Sequence, residues 1–179
     1  MHKYSIVIVV IFLCLPNLGI CESSPWTGNI NLFHGIKYPN KINDWDYSDY
    51  ALEYGIFTDF RKRDWFINLA VDYLKSYYND DIGTQELNIG FRKVFGEPID
   101  WAPYIGGGIT FLDAHVNYKG YSDDDTGTGV WVDTGWYWNA FQHLNFAWEF
   151  RFSSTEVTLL GSKGDVGGWK TGIILGYHF

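Results

Sequence analysis

The stretch Thr171–Phe179 reads TGIILGYHF. Its alternate residues Ile173, Leu175, Tyr177 and Phe179 are apolar; Gly172, Ile174, Gly176 and His178 lie between them. Successive side chains of a strand point to opposite faces, so a period of two predicts a strand with one continuous apolar face. Ends without a partner are ordinarily polar and frayed. This one is patterned to be paired.

The same pattern recurs upstream. Seven further runs alternate in the same way, at about 28–38, 50–60, 65–75, 85–95, 102–116, 128–138 and 144–153, and the tail run reaches back to about 169. In the seventh run, Leu144, Phe146, Trp148, Phe150 and Phe152 alternate with Asn145, Ala147, Glu149 and Arg151. The connections also alternate. Those at 61–64, 96–101 and 139–143 are short, whereas those at 39–49, 76–84, 117–127 and 154–168 are longer and more acidic. Short turns at one end and long loops at the other are the pattern of a membrane barrel, and eight strands make its smallest common form. The fold class expected is all-β: one eight-stranded antiparallel up-and-down transmembrane β-barrel, covering residues 22–179.

Residues 1–21 read as a secretory signal. His2 and Lys3 form a basic start, Ile6 to Leu15 is apolar, and Pro16 breaks the run. That run is too short for a helix spanning a bilayer, which needs ~20 residues. Cleavage after Cys21 is one reading. Acylation of Cys21 is another, although the bulky Ile20 departs from the usual lipoprotein box. Cys14 and Cys21 are the two cysteines, so no internal disulfide is expected in the mature domain. The leader takes Lys3 and no acid out of 13 basic and 21 acidic residues, leaving a net charge of −9. That argues against binding to nucleic acid or to an anionic surface as a main role.

Period-two alternation alone does not say which face is outside. A soluble lipocalin-like barrel would turn its apolar face inward. Three features favour the membrane arrangement. Aromatics such as Trp65, Tyr73, Phe95, Trp136 and Trp138 fall near strand ends, as in interface girdles. Small residues (Gly55, Gly90, Gly106, Gly108, Gly135, Gly172, Gly176) recur on the polar face, as a narrow lumen requires. That face also carries charges of both signs. Glu53, Asp72, Glu86, Arg92, Asp133, Glu149, Arg151 and Lys170 are therefore expected to form a lumen charge network, because buried charges are tolerable only when paired.

The tail resembles the C-terminal signal of bacterial outer-membrane proteins, with Ile173, Leu175, Tyr177 and Phe179 matching position by position. Together with "PYIGGGITFLDA" (103–114) and the ending from Asn145, it is similar to the small eight-stranded outer-membrane β-barrel family, the OmpA/OmpX-like barrels. The resemblance spans about residues 26–179. It implies insertion by the barrel-assembly machinery through the last strand. It further implies contact with outer-membrane lipid and lipopolysaccharide, and a monomeric state. It is poor for function, since one such fold hosts many roles.

No complete catalytic motif is present. Family members that deacylate lipid A use a His-x-Ser pattern; His115 and His143 are instead followed by Val116-Asn117 and Leu144-Asn145. Ser153, Ser154 and Glu156 have no histidine close in sequence. Asp123-Asp124-Asp125 lacks the spacing of a calcium loop and reads as a solvated acidic loop, although with Asp80 and Asp81 it could hold divalent cations against lipopolysaccharide. No cofactor and no metal site are expected. The expected function is a structural or interaction barrel with a plugged lumen. The alternatives are a narrow porin-like channel, a lipid A-modifying enzyme and a periplasmic carrier.

Overall fold

The computed structural model describes residues 25–40, 50–79, 82–96, 101–118, 121–139 and 143–179. The leader, Cys21, Asp80 and Asp81 lie outside these residues. Ten strands follow in chain order: β1 (Trp26–Pro39), β2 (Ala51–Lys62), β3 (Asn68–Asn79), β4 (Ile82–Val94), β5 (Trp101–Tyr118), β6 (Tyr121–Asn139), β7 (Leu144–Ser154), β8 (Glu156–Leu159), β9 (Ser162–Asp165) and β10 (Gly168–His178). Eight of them close into an antiparallel barrel in the order β1-β10-β7-β6-β5-β4-β3-β2; β8 and β9 form a separate hairpin.

The tail closes the ring. β10 pairs with β1 from Asn29↔His178 to Pro39↔Gly168. Beyond the ladder, Phe179 N–H donates to Gly28 O (3.0 Å) and Gly28 N–H donates back to Phe179 O (3.1 Å). Thr27 Oγ1 also donates to Phe179 O at 2.8 Å. With first and last strands paired, the barrel sheet has no free edge strand.

The faces sort by polarity in the membrane sense. Leu32, Trp148 and Ile173 point outward and are 64%, 55% and 66% exposed, while Glu53, Arg92 and Lys170 point inward at 0%, 0% and 2%. Soluble monomers rarely expose contiguous apolar patches beyond a few hundred Å². Here the apolar face runs around the barrel, and an apolar solvent is its fitting surroundings.

Small residues on the inward face make room for large ones. A Cβ at Gly90 would lie 2.2 Å from Gly107 O and 2.8 Å from the Trp131 ring; one at Gly135 would lie 2.6 Å from the Tyr104 hydroxyl. The lumen therefore holds Trp131, Tyr104, Tyr137 and a stacked Phe33–Phe57 pair (centroids 4.8 Å apart) beside its charges.

Four expectations need correction. Residues 76–84, expected as a longer connection, mostly extend β3 to Asn79 and start β4 at Ile82. The third run was placed from Trp65, but Trp65 sits in the turn and β3 begins at Asn68. Residues 117–127, expected as a loop, mostly continue the β5–β6 ribbon, which stays in register to Tyr118↔Tyr121. Asp123–Asp125 are thus strand residues: Asp123 Oδ2 accepts Leu160 N–H and Asp125 Oδ2 accepts Thr158 N–H, each at 2.6 Å. Residues 154–168, also expected as a loop, contain the β8–β9 hairpin. Its turn, Leu160–Gly161, has φ of 50° and 80°, the left-handed pair that a two-residue hairpin turn requires.

Candidate functional site: the charged lumen

The interior is layered from the end where Thr27 and Gly28 meet Phe179 (the termini end) to the end capped by the β8–β9 hairpin (the loop end). At the termini end a cavity of about 90 Å³ opens among Asn29, Arg61, Asn68, Ala102, Tyr137 and His178. Its floor is Asp59. That carboxylate accepts Asn29 Nδ2 (2.9 Å), Asn68 Nδ2 (2.6 Å) and Tyr137 OH (2.9 Å).

Next comes an arginine layer. Arg92 Nη2 meets Asp133 Oδ2 at 2.6 Å and Asp72 Oδ2 at 2.9 Å, and its Nη1 lies 3.5 Å from Asp59. Arg151 joins the same two oxygens, reaching Asp133 at 3.1 Å and also Asp72, while its Nε donates to Glu149 at 2.8 Å. Its guanidinium lies between the faces of Phe57 (4.5 Å) and Trp131 (4.6 Å). Planar, weakly hydrated guanidinium suits such a sandwich as ammonium does not. Two cations face four carboxylates here. Neutral donors serve the surplus: Tyr104 OH on Glu149 (2.9 Å), with the asparagines and Tyr137 on Asp59.

A lysine layer follows toward the loop end. Lys37 Nζ meets Glu86 Oε1 at 2.7 Å, and Lys170 Nζ meets Glu86 Oε2 and lies 3.4 Å from Glu53. Ser76 Oγ donates to Glu53 at 2.7 Å. Above this, the β8–β9 hairpin lays Val157 and Leu159, with Val166, on Leu112, Ala114 and Val116. Between hairpin and strand rim remains a space of about 10 Å³, at the lower limit for one water. Asp165 holds this cap: its carboxylate accepts Ser154 Oγ, Asn40 Nδ2 and the amides of Thr155 and Gly167, all at 2.8–2.9 Å.

All eight network residues named from the sequence lie in the lumen, in two groups. Arg92, Arg151, Asp72, Asp133 and Glu149 form one; Lys170, Glu53 and Glu86 form the other. Asp59, which its alternation also puts on the polar face, joins the first group, and one ionic member, Lys37, was missed. Parity with Asn29 and Asn31 was the signal for Lys37, blurred because the same face of β1 carries Phe33. Of the tail residues, Ile173, Leu175 and Tyr177 face outward, and Phe179 is bound through its backbone.

The serine–glutamate group does not assemble with a histidine. Ser154 Oγ donates to Asp165, Glu156 pairs with Lys163 at 2.7 Å, and Ser153 is buried in the lumen. His143 stacks on Tyr177, and His178 Nδ1 lies 3.0 Å from Asn29 Oδ1.

No protein-family model and no curated protein sequence matches the chain. Solved structures do resemble it in shape. Neisserial surface protein A shares 16% identity at a TM-score of 0.67, over 87% of this chain and 98% of that one. The N-terminal β-barrel domain of Pseudomonas aeruginosa OprF shares 15% at 0.64, over 86% and 97%. Ail, the attachment invasion locus protein of Yersinia pestis, shares 14% at 0.58, over 87% and 100%. The chain thus has the fold of the small eight-stranded outer-membrane β-barrels.

Proposed function

We propose that the chain is an integral protein of a Gram-negative outer membrane, a structural or interaction barrel whose lumen is a plug rather than a pore. The observation that carries this reading is the layered interior. Ion pairs and aromatic rings bridge the lumen from opposite walls, and an apolar hairpin caps the loop end. The apolar exterior and the barrel fold support the membrane setting. With its lumen filled, the barrel is left with its rim and loop end as surfaces for partners. We further propose that Ile173, Leu175, Tyr177 and Phe179 are read by the barrel-assembly machinery before the strand pairs with β1.

The test is conductance in planar bilayers, for the wild type and for Arg92→Ala and Arg151→Ala. A sealed lumen gives no steady current in the wild type. The variants, which loosen the arginine layer, are expected to leak. Steady wild-type conductance that neither substitution alters would overturn the plug.

A further inference from the structure

Two groups of basic residues stand apart from exposed Lys163, paired with Glu156, and Lys75, which lies over the Tyr77 ring. Inside the barrel Lys37, Arg92, Arg151 and Lys170 are each ion-paired. At the termini end Arg61, Lys62, Arg63 and Lys93 make no ion pair among the described residues, although the chain as a whole is acidic, at net −8. Two of these four point to the lipid side. Lys62 continues the outward face of β2 beyond Phe60, and Lys93 continues that of β4 beyond Phe91.

They are held there by aromatics. The Lys62 ammonium lies 5.8 Å from the Trp26 ring centre and 5.9 Å from that of Trp65, and these two rings pack edge to face at 5.9 Å. The Lys93 ammonium lies 5.4 Å from the Phe66 ring and donates to Phe66 O at 2.5 Å. Trp65 and Phe66 are neighbours in one turn, so the two cations share a single aromatic ledge. Arg61 pins that turn by donating to Trp65 O, and Arg63 follows Lys62 on its exposed rim. Phe66 is 74% exposed. Amphipathic rings of this kind settle at headgroup depth, and lysines beside them reach toward phosphates. Acids are not absent: Asp64 lies in the same turn, and Glu97 and Asp100 fall in the next connection, outside the described residues. The net sign of the ledge itself stays positive, with Lys62, Arg63 and Lys93 against Asp64.

We propose that this ledge, in the short β2–β3 turn of the kind that outer-membrane barrels keep on the periplasmic side, is a binding surface for anionic glycerophospholipid headgroups of the periplasmic leaflet. The inference rests on the membrane reading above and names a partner for it. A phosphodiester takes the place that carboxylates occupy for the interior cations: Lys62 and Lys93 meet its oxygens, Arg63 adds a fork of donors, and Trp26, Trp65 and Phe66 lie along the glycerol and upper acyl chains.

The experiment uses the full mature chain refolded in detergent micelles with equal amounts of phosphatidylglycerol and phosphatidylethanolamine, and counts retained lipids by native mass spectrometry. Folding is scored on the same samples by the heat-dependent shift in gel mobility. The wild type is expected to retain phosphatidylglycerol in preference. A surface cation near a lipid headgroup changes affinity roughly fivefold. Lys62→Gln with Lys93→Gln is therefore expected to erase most of the preference while the heat-dependent shift stays. Lys163→Gln, at the loop end, is expected to leave the preference intact. A folded wild type without preference, or a double variant that keeps it, overturns the ledge while the membrane barrel stands. A wild type with no heat-dependent shift overturns the barrel reading, and the ledge with it.

Discussion

At the residue scale, the arginine layer explains how a barrel this narrow carries so much charge. Asp72 Oδ2 and Asp133 Oδ2 each receive both arginines, so either guanidinium is held by the carboxylates that hold the other. Removing one partner from a buried set costs more than the set contributes when whole, because the remaining charge is stranded. Arg151→Ala strands Glu149 and unseats the Phe57–Trp131 sandwich. It is expected to lower stability in urea unfolding from micelles by about 3–5 kcal/mol. Lys163→Ala removes an exposed pair with Glu156 and is expected to cost about 0–1 kcal/mol in the same assay. An Arg151→Ala cost as small as that of Lys163→Ala would mean that the lumen charges are solvated rather than locked. The sequence made these positions legible through parity, since Arg151 shares a face with Glu149 and Asp133 with Gly135. It could not reveal which arginine meets which carboxylate. That depends on the stagger of strands distant in sequence, as with Arg151 and Asp72, which come from β7 and β3.

At the element scale, the parts easiest to read were those in contact with lipid. There one face must be apolar, and alternation is strong. Where the β5–β6 ribbon rises past that zone, β6 is polar on both faces from Ser122 to Thr128, the period of two vanishes on it, and Asp123–Asp125 pass for a loop. The β8–β9 hairpin escaped for a different reason. Its strands are four residues long, and only Val157 and Leu159 mark its buried face. Two predictions belong here. Gly90→Ala pushes a methyl against Gly107 O and the Trp131 ring, across the β4–β5 ladder. Overpacking of this kind is expected to cost about 1–3 kcal/mol of barrel stability, read by urea unfolding. A neutral result would show that the strands have slack there. Asp123→Ala with Asp125→Ala removes the acceptors of Leu160 and Thr158 N–H. At about 1 kcal/mol per bond, each amide is expected to exchange roughly fivefold faster. Unchanged exchange would mean that the apolar contacts alone hold the cap.

At the scale of the whole molecule, three facts fit one arrangement: an apolar exterior, an interior of paired charge, and a first and a last strand joined through to Gly28 and Phe179. A soluble carrier needs the reverse, an apolar cavity and a polar skin. The interior is the wrong solvent for a greasy ligand, and the termini-end cavity, of about 90 Å³, is small. The most direct test is to fractionate cell envelopes and run the fractions on gels with and without boiling. The protein is expected with the outer membrane, and its mobility is expected to change on heating, as a detergent-resistant closed barrel requires. Recovery in the soluble periplasm with no heat-dependent shift would contradict the assignment, and would mean that the exposed aromatic face is covered by something other than lipid.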